Sequence, residues 1–384
     1  MRLLYRGGRG LLKQIKNIMR GGDNFITVLS CSIWNKEKSG EIEEVIKNNL
    51  DWDYVLRKSR KEGVSSLIYY CLKKFELQKY LPFKTLKTLE EAYYKNSLRN
   101  IIMISETKKV LESFKKEGIE SIILKGVFLA EKIYRNIALR EMTDVDILIR
   151  RKNVKKANRI LNSLGYPTPK YYEDLLKISS SLNTLMYKGN IRVHLHWHLI
   201  NSTWPLNFLI EKISIERIFE YAKPIKIDTL DTLTLSNEHL LIYLCYHLFN
   251  HSFDRLILLV DILGLLNSYS IDWNFVIEEA ERFKLSFILY YVLSFISQKK
   301  EEKVPYLERL KPSKSYLKKL PPSSFTSYFI YLLLQKGFKK KIKFLINTIF
   351  PPPCVVAHSF SISPKEVTRA HYFFRLIKPF LKFF

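Results

Sequence analysis

Cysteine is scarce in this chain: Cys31, Cys71, Cys245 and Cys354 are widely spaced, and no Cys-x-x-Cys occurs. That pattern excludes a zinc ribbon and a disulfide scaffold, and it suits a reducing cytoplasm. Long apolar runs are missing too. No run reaches the roughly 18 residues that a spanning helix needs. Residues 256–266 come nearest in character, but Asp261 and Gly264 interrupt them. Residues 1–22 are basic without a continuous apolar stretch, so no secretory signal is read there. Several catalytic signatures are also missing. There is no Walker loop, no Ser-His-Asp elbow and no Rossmann fingerprint, and Gly7, Gly8 and Gly10 follow no strand. His247 and His251 stand four apart, but Leu248, Phe249 and Asn250 lie between them, so the His-Glu-x-x-His of a zinc protease is absent. The pair is read as helix packing or a hydrogen-bonded surface pair. Asp254 and Asp261 are read as capping and solvated residues.

Acidic residues are outnumbered, 37 against 63 basic ones, which leaves a net charge of +26. Such a field draws nucleic acid, nucleotides or an anionic membrane surface. A lysine-rich composition with solvated side chains all round explains the same number. Hydrophobic content of 47% excludes a largely disordered chain. The organisation reads as a basic leader over 1–40, a helical region over 41–99, an α/β core over 100–204, a helical region over 205–300, and a basic, proline-punctuated region over 301–384. The leader contains the makings of a short amphipathic helix. The C-terminal tail alternates aromatics and cations from Phe373 to Phe384, a pattern that either docks on a membrane interface or packs on the helical regions.

Within the core, residues 119–125 read as a buried strand, 127–135 as a helix, 143–150 as a second strand and 153–164 as a helix stopped by Gly165. Residues 87–116 form one long helix or two. Gly189-Asn190 is a turn dipeptide between two apolar runs, which predicts a hairpin over 182–199. Residues 171–181 read as a helix. Beyond 205 the pattern is mainly helical: 205–221, 237–250, 255–268 and 273–297. Residues 50–72 and 271–293 align at an offset of 221, with seven identities in 23 positions. Asp51-Trp52 and Asp272-Trp273 open the two copies, each aspartate an expected N-cap. Two related helical units are one reading, and coincidence between amphipathic helices is the other.

The chemistry gathers in two pieces. Leu124-Lys125-Gly126 ends an apolar run, and Asp144-Val145-Asp146 begins another 18 residues after the glycine. On a strand, positions i and i+2 share a face, so Asp144 and Asp146 would stand side by side. Two adjacent carboxylates repel unless a cation lies between them. A glycine turn that opens a helix offers backbone N–H groups to phosphate. Together they point to a metal–nucleotide site. His194, His196 and His198 alternate along one strand, which raises a transition-metal alternative, although ligands from a single strand seldom converge on zinc.

These residues resemble the nucleotidyltransferase fold of the DNA polymerase beta-like superfamily. More narrowly, the chain resembles a poorly characterised bacterial family of nucleotidyltransferases. The likeness rests on Ile122 to Gly126, Ile133-Tyr134, Leu139-Arg140, Asp144 to Ile149, Leu164-Gly165-Tyr166 and Leu195-His196-Trp197. It implies an α/β (α+β) core with a small mixed sheet, flanked by N- and C-terminal helical regions. It also implies transfer of a nucleoside monophosphate from a triphosphate, ATP foremost, to a hydroxyl-bearing acceptor. That acceptor is a small molecule, an RNA or a protein. Mg²⁺ or Mn²⁺ would be held by Asp144, Asp146 and His194, with His196 as an accessory. Lys125, Gly126 and Arg140 would contact phosphate. One departure stands out, because the family carries an acidic residue where this chain has His194. Either His194 substitutes for it, or Glu141 or Glu173 supplies the carboxylate, or the site binds nucleotide without turning it over. The last possibility makes the protein a binding or scaffold module that engages RNA or a membrane. A transition-metal hydrolase is a more distant alternative. The expected location is the cytoplasm, with contact to the inner face of the membrane as an extension.

Overall fold

In the computed structural model, which describes residues 21–34, 39–47, 50–168, 184–200, 207–297, 305–311, 319–360 and 362–381, the chain is mainly helical and carries one mixed sheet. The N-terminal part runs through α1 (Gly21–Cys31), α2 (Ser39–Lys47), α3 (Trp52–Glu62), α4 (Ser65–Lys74) and α5 (Phe83–Lys116). Then come β1 (Ser121–Ile123), a short helix α6 (Gly126–Phe128) that widens into a π turn over Leu129–Ile133, β2 (Val145–Ile149) and α7 (Val154–Ser163). After β3 (Thr184–Lys188) and β4 (Ile191–His196), two short helices follow, α8 (Asn207–Ile210) and α9 (Ile215–Glu220). Next are β5 (Lys223–Ile227), β6 (Leu230–Thr234), α10 (Asn237–Asn250), α11 (Leu256–Ser268), α12 (Trp273–Arg282) and α13 (Ser286–Ser297). The chain closes with α14 (Pro305–Leu310), α15 (Ser324–Leu334), α16 (Phe338–Ile349), α17 (Pro353–Phe360) and α18 (Arg369–Leu381). Among the described residues, no helix is long and apolar enough to cross a membrane. The basic leader before Gly21, the helix expected over 171–181 with Glu173, and the last residues of the tail lie outside the described residues.

Two compact units emerge. One gathers the described residues of Met1–Glu106, Lys125–Thr143 and Leu235–Ser324; the other gathers Thr107–Leu124, Asp144–Thr234 and Phe325–Phe384. The sheet belongs to the second unit, with strand order β3-β4-β2-β1-β6-β5. β2 is antiparallel to β1 and parallel to β4, while β1 is parallel to β6. All five β2 residues are buried, which accounts for its unbroken apolar run around a single aspartate. The Gly189-Asn190 hairpin forms as expected, pairing Lys188 with Ile191.

The second hairpin, β5–β6, adds two strands between helices in the region read as mainly helical after residue 205, where 222–236 carried no expected element. Pro224 lacks the N–H of a central strand, yet it is tolerated here because β5 is the edge strand. Asp228 takes φ +50 in the turn, a left-handed conformation that Asn or Gly signals more clearly. Lys108 Nζ then ties that turn to α5, 2.6 Å from Asp228 Oδ2 and 2.9 Å from Thr229 Oγ1. α5 itself is one helix of 34 residues rather than two.

The first unit carries the repeat. Asp51 accepts from the Tyr54 amide at 2.9 Å, and Asp272 accepts from Asn274 and Phe275 at 3.0 and 3.2 Å. At the helix ends, the amides of Gly63 and Val64 donate to Arg60 and Ser59. Their counterparts 221 residues on, Lys284 and Leu285, donate to Glu281 and Ala280. Gly63 and Lys284 share the left-handed conformation, at φ 71 and 60. The same two-helix corner is therefore built twice, from α3–α4 and from α12–α13. Helix α1 also differs from expectation, because it lies in the stretch read as leader yet buries Phe25, Ile26, Val28 and Leu29. Its run from Phe25 to Leu29 carries no charge, so burial is its favourable state.

Candidate metal and nucleotide site

β2 and β4 run parallel with Asp146 opposite His194 and Leu148 opposite His196. Alternation along β4 then places Asp146, His194 and His196 on one face of the sheet. Asp146 Oδ1 lies 2.8 Å from His196 Nε2 and 3.4 Å from His194 Nδ1. The two imidazoles sit 4.1 Å apart, centroid to centroid. One ligand atom from each of the three residues falls within 4.8 Å of the others. Asp146 and His196 are buried, and His194 is the partly exposed member, its side chain 18% accessible. Backbone bonds fix the frame: the Leu124 amide donates to the Asp146 carbonyl at 3.2 Å, and Thr234 Oγ1 donates to the Ile123 carbonyl at the same distance.

Asp144 directly precedes the strand and is half-buried. His198 also falls past the end of β4. The Ile200 amide donates to its Nδ1 at 3.1 Å, and its Nε2 faces the Ile213 carbonyl at 3.3 Å. A ring that accepts at Nδ1 carries its proton at Nε2, so His198 is a neutral imidazole with both nitrogens in backbone bonds. Burial depresses its pKa below the ordinary histidine value. The expected row of three histidines thus narrows to a pair facing Asp146.

The first unit holds the remaining residues. Lys125 is buried, adopts φ −144 and ψ −102 ahead of Gly126, and brings Nζ within 3.4 Å of His247 Nε2. Arg140 is buried too. Its Nε and Nη2 donate to the Asp261 carboxylate at 3.1 and 2.8 Å, and Tyr134 donates to the same carboxylate at 2.9 Å. Asp261 is fully buried, which corrects its reading as a solvated residue. Burial pushes the Tyr134 phenol well above its usual pKa, and the neighbouring Asp261 charge adds to the rise. Asn100 secures the same segment by donating to the carbonyls of Arg140 and Ile137. Glu141 sits at the start of α4, where the Ser65 and Ser66 amides bind its carboxylate. Burial raises its pKa nonetheless. The sequence marked neither Asp261 nor His247 as part of this assembly. A lone acid in an apolar helical run was the available signal for Asp261.

A sheet of this order, with an aspartate and two histidines meeting on adjacent parallel strands, defines a mixed α/β protein with a polar centre suited to a cation. A family described as uncharacterised nucleotidyltransferase matches residues 48–298, more than half of the chain. The chain belongs to that family of nucleotidyltransferases. No curated protein matches it. One solved structure, the antibiotic-resistance factor ANT(2'')-Ia in solution, is similar over 50% of this chain and 95% of that one, at 11% identity and a TM-score of 0.35. That likeness is too low to bear on function.

Proposed function

We propose that the protein transfers a nucleoside monophosphate from a nucleoside triphosphate, ATP in our reading, to a hydroxyl-bearing acceptor. Family membership supports the triphosphate as one substrate. The metal role rests on one observation, the convergence of Asp146, His194 and His196 within 4.8 Å. One carboxylate oxygen and two imidazole nitrogens form a donor set that fits a divalent ion. It favours Mn²⁺ over Mg²⁺, because Mg²⁺ takes oxygen ligands. When bound, such an ion supplies positive charge to the triphosphate oxygens and acidifies the acceptor hydroxyl.

The chain's own residues do the rest in this reading. Asp146 and His194 hold the ion, with Asp144 as the further carboxylate. His196 orients Asp146 through the 2.8 Å contact. Lys125 and Gly126 contact phosphate. Arg140 neutralises Asp261, and we assign it to holding the segment that leads into Asp144.

The imidazole at position 194 also favours a second reading, a module that binds nucleotide without turning it over. Thermal unfolding with ATP and either Mn²⁺ or Mg²⁺ tests the site. Nucleotide at about 100 times its Kd adds about 2.7 kcal/mol of stability. We expect that gain in the wild type and its loss in Asp146→Ala. No gain with any triphosphate and either metal sinks the proposal. Given binding, faster turnover in His194→Asp assigns the natural protein to the weakened state. Salt-sensitive RNA binding that survives Asp144→Ala assigns it to the module.

A further inference from the structure

Helix α16 is built inside out. Phe338, Ile342, Leu345 and Ile349 recur at i, i+4, i+7 and i+11, the stripe by which an amphipathic helix normally meets a core. Here the stripe faces outward, since these four and Ile346 are 40–77% exposed. Phe344 alone is buried, and Lys341 and Thr348 flank it half-buried. Lys339 and Lys343 border the stripe. Phe350 follows it, also exposed. Arg375 Nη1 donates to the Thr348 carbonyl at 2.8 Å and Tyr372 to that of Pro351 at 3.1 Å, so α18 is fastened to the end of α16. That fastening sets the exposed Phe373 and Phe374 directly after Tyr372, whose ring stands 6.4 Å from Phe350.

Charge identifies what covers this face. Residues 325–384 contain ten Lys and Arg against a single acid, Glu366. We propose that α16 and the start of α18 form a docking surface for an anionic lipid bilayer. The helix is about 18 Å long, too short to span, and suited to lie in the interface plane. Its aliphatic side chains enter the acyl boundary while the lysine stems reach back to the phosphates. RNA is the poorer fit, because single strands are read by aromatic stacking and arginine, whereas four of the five exposed stripe residues are aliphatic and lysine borders them. The proposal is independent of the nucleotidyl-transfer reading.

Flotation of the full chain with vesicles decides it. Vesicles of about 30% phosphatidylglycerol in phosphatidylcholine should carry the protein up the gradient, while pure phosphatidylcholine leaves it behind. Ile342→Asp with Ile346→Asp should weaken binding at least about tenfold, as should Lys339→Glu with Lys343→Glu. All four positions are on the surface, and a melting temperature no lower than that of the wild type confirms that the variants fold. Failure to float with anionic vesicles overturns the proposal. So does flotation that ignores both double variants. A dimer in sedimentation velocity that Ile342→Asp dissolves, with no vesicle binding, overturns it in favour of a second copy. Binding to RNA but not vesicles, lost in Lys339→Glu with Lys343→Glu, overturns it in favour of nucleic acid.

Discussion

Asp261 lies in Leu256–Ser268, a helix whose apolar character hides the one carboxylate in it. An ionised carboxylate at zero exposure is costly unless paired, and here Arg140 pairs it bidentately while Tyr134 donates a further bond. Removing one partner strands the other charge. Asp261→Ala should therefore lower stability by about 3–5 kcal/mol in urea unfolding. The double change Asp261→Leu with Arg140→Met should recover most of that loss, since a packed apolar pair replaces a buried ion pair at little net cost. A double variant as unstable as the single one would show that the segment depends on the charge itself. The same contrast separates Asp261 from Asp146. Asp146 faces two imidazoles, whereas Asp261 has a permanent guanidinium.

At the scale of elements, the duplicated corner offers a paired test. Each copy begins with an aspartate whose side chain accepts from the first helical turn. Losing an N-cap of this kind costs about 1 kcal/mol. Asp51→Ala and Asp272→Ala should each shift the urea midpoint by a comparable amount, and the double variant by their sum, because the caps share no partner. Unequal effects would mean that only one corner unfolds with the rest of its unit. Both corners were visible in the sequence, since a repeated Asp-Trp at a constant offset preserves cap and packing together. β2 and the Gly189-Asn190 hairpin were equally plain, because periodicity and turn chemistry agreed there. β5–β6 was hidden, with Pro224 arguing against a strand and Asp228-Thr229 giving a weak turn signal. Its identity as strand comes from pairing with β1 across more than a hundred residues, which no local window contains. The sequence singled out Asp146 beside Asp144, but not its 2.8 Å contact with His196. Register between two distant strands decides that, and composition does not encode register.

For the whole molecule, the excess of 26 positive charges is the dominant long-range fact. Exposed pairs such as Lys156–Glu117 at 2.9 Å contribute little and weaken with salt. The buried Arg140–Asp261 pair is screened far less. What salt mainly changes is then the mutual repulsion of unmatched lysines, which is stronger in the compact state than in the unfolded chain. Raising NaCl from about 20 to about 300 mM shortens the screening length from roughly 20 Å to below 10 Å, within the spacing of neighbouring surface charges. The melting temperature should therefore rise over that interval, and it should rise more with sulfate, which also strengthens apolar burial. The variant Lys339→Glu with Lys343→Glu removes four units of charge, so its melting temperature should be less responsive to NaCl. A melting temperature that falls with salt would reverse this picture. It would mean that surface ion pairs outweigh the repulsion, and that the cationic excess is spread too evenly to act as a field. In that case the concentration of ten basic residues in the last sixty would have to act locally, through α16 and the face it presents, rather than through the charge of the molecule as a whole.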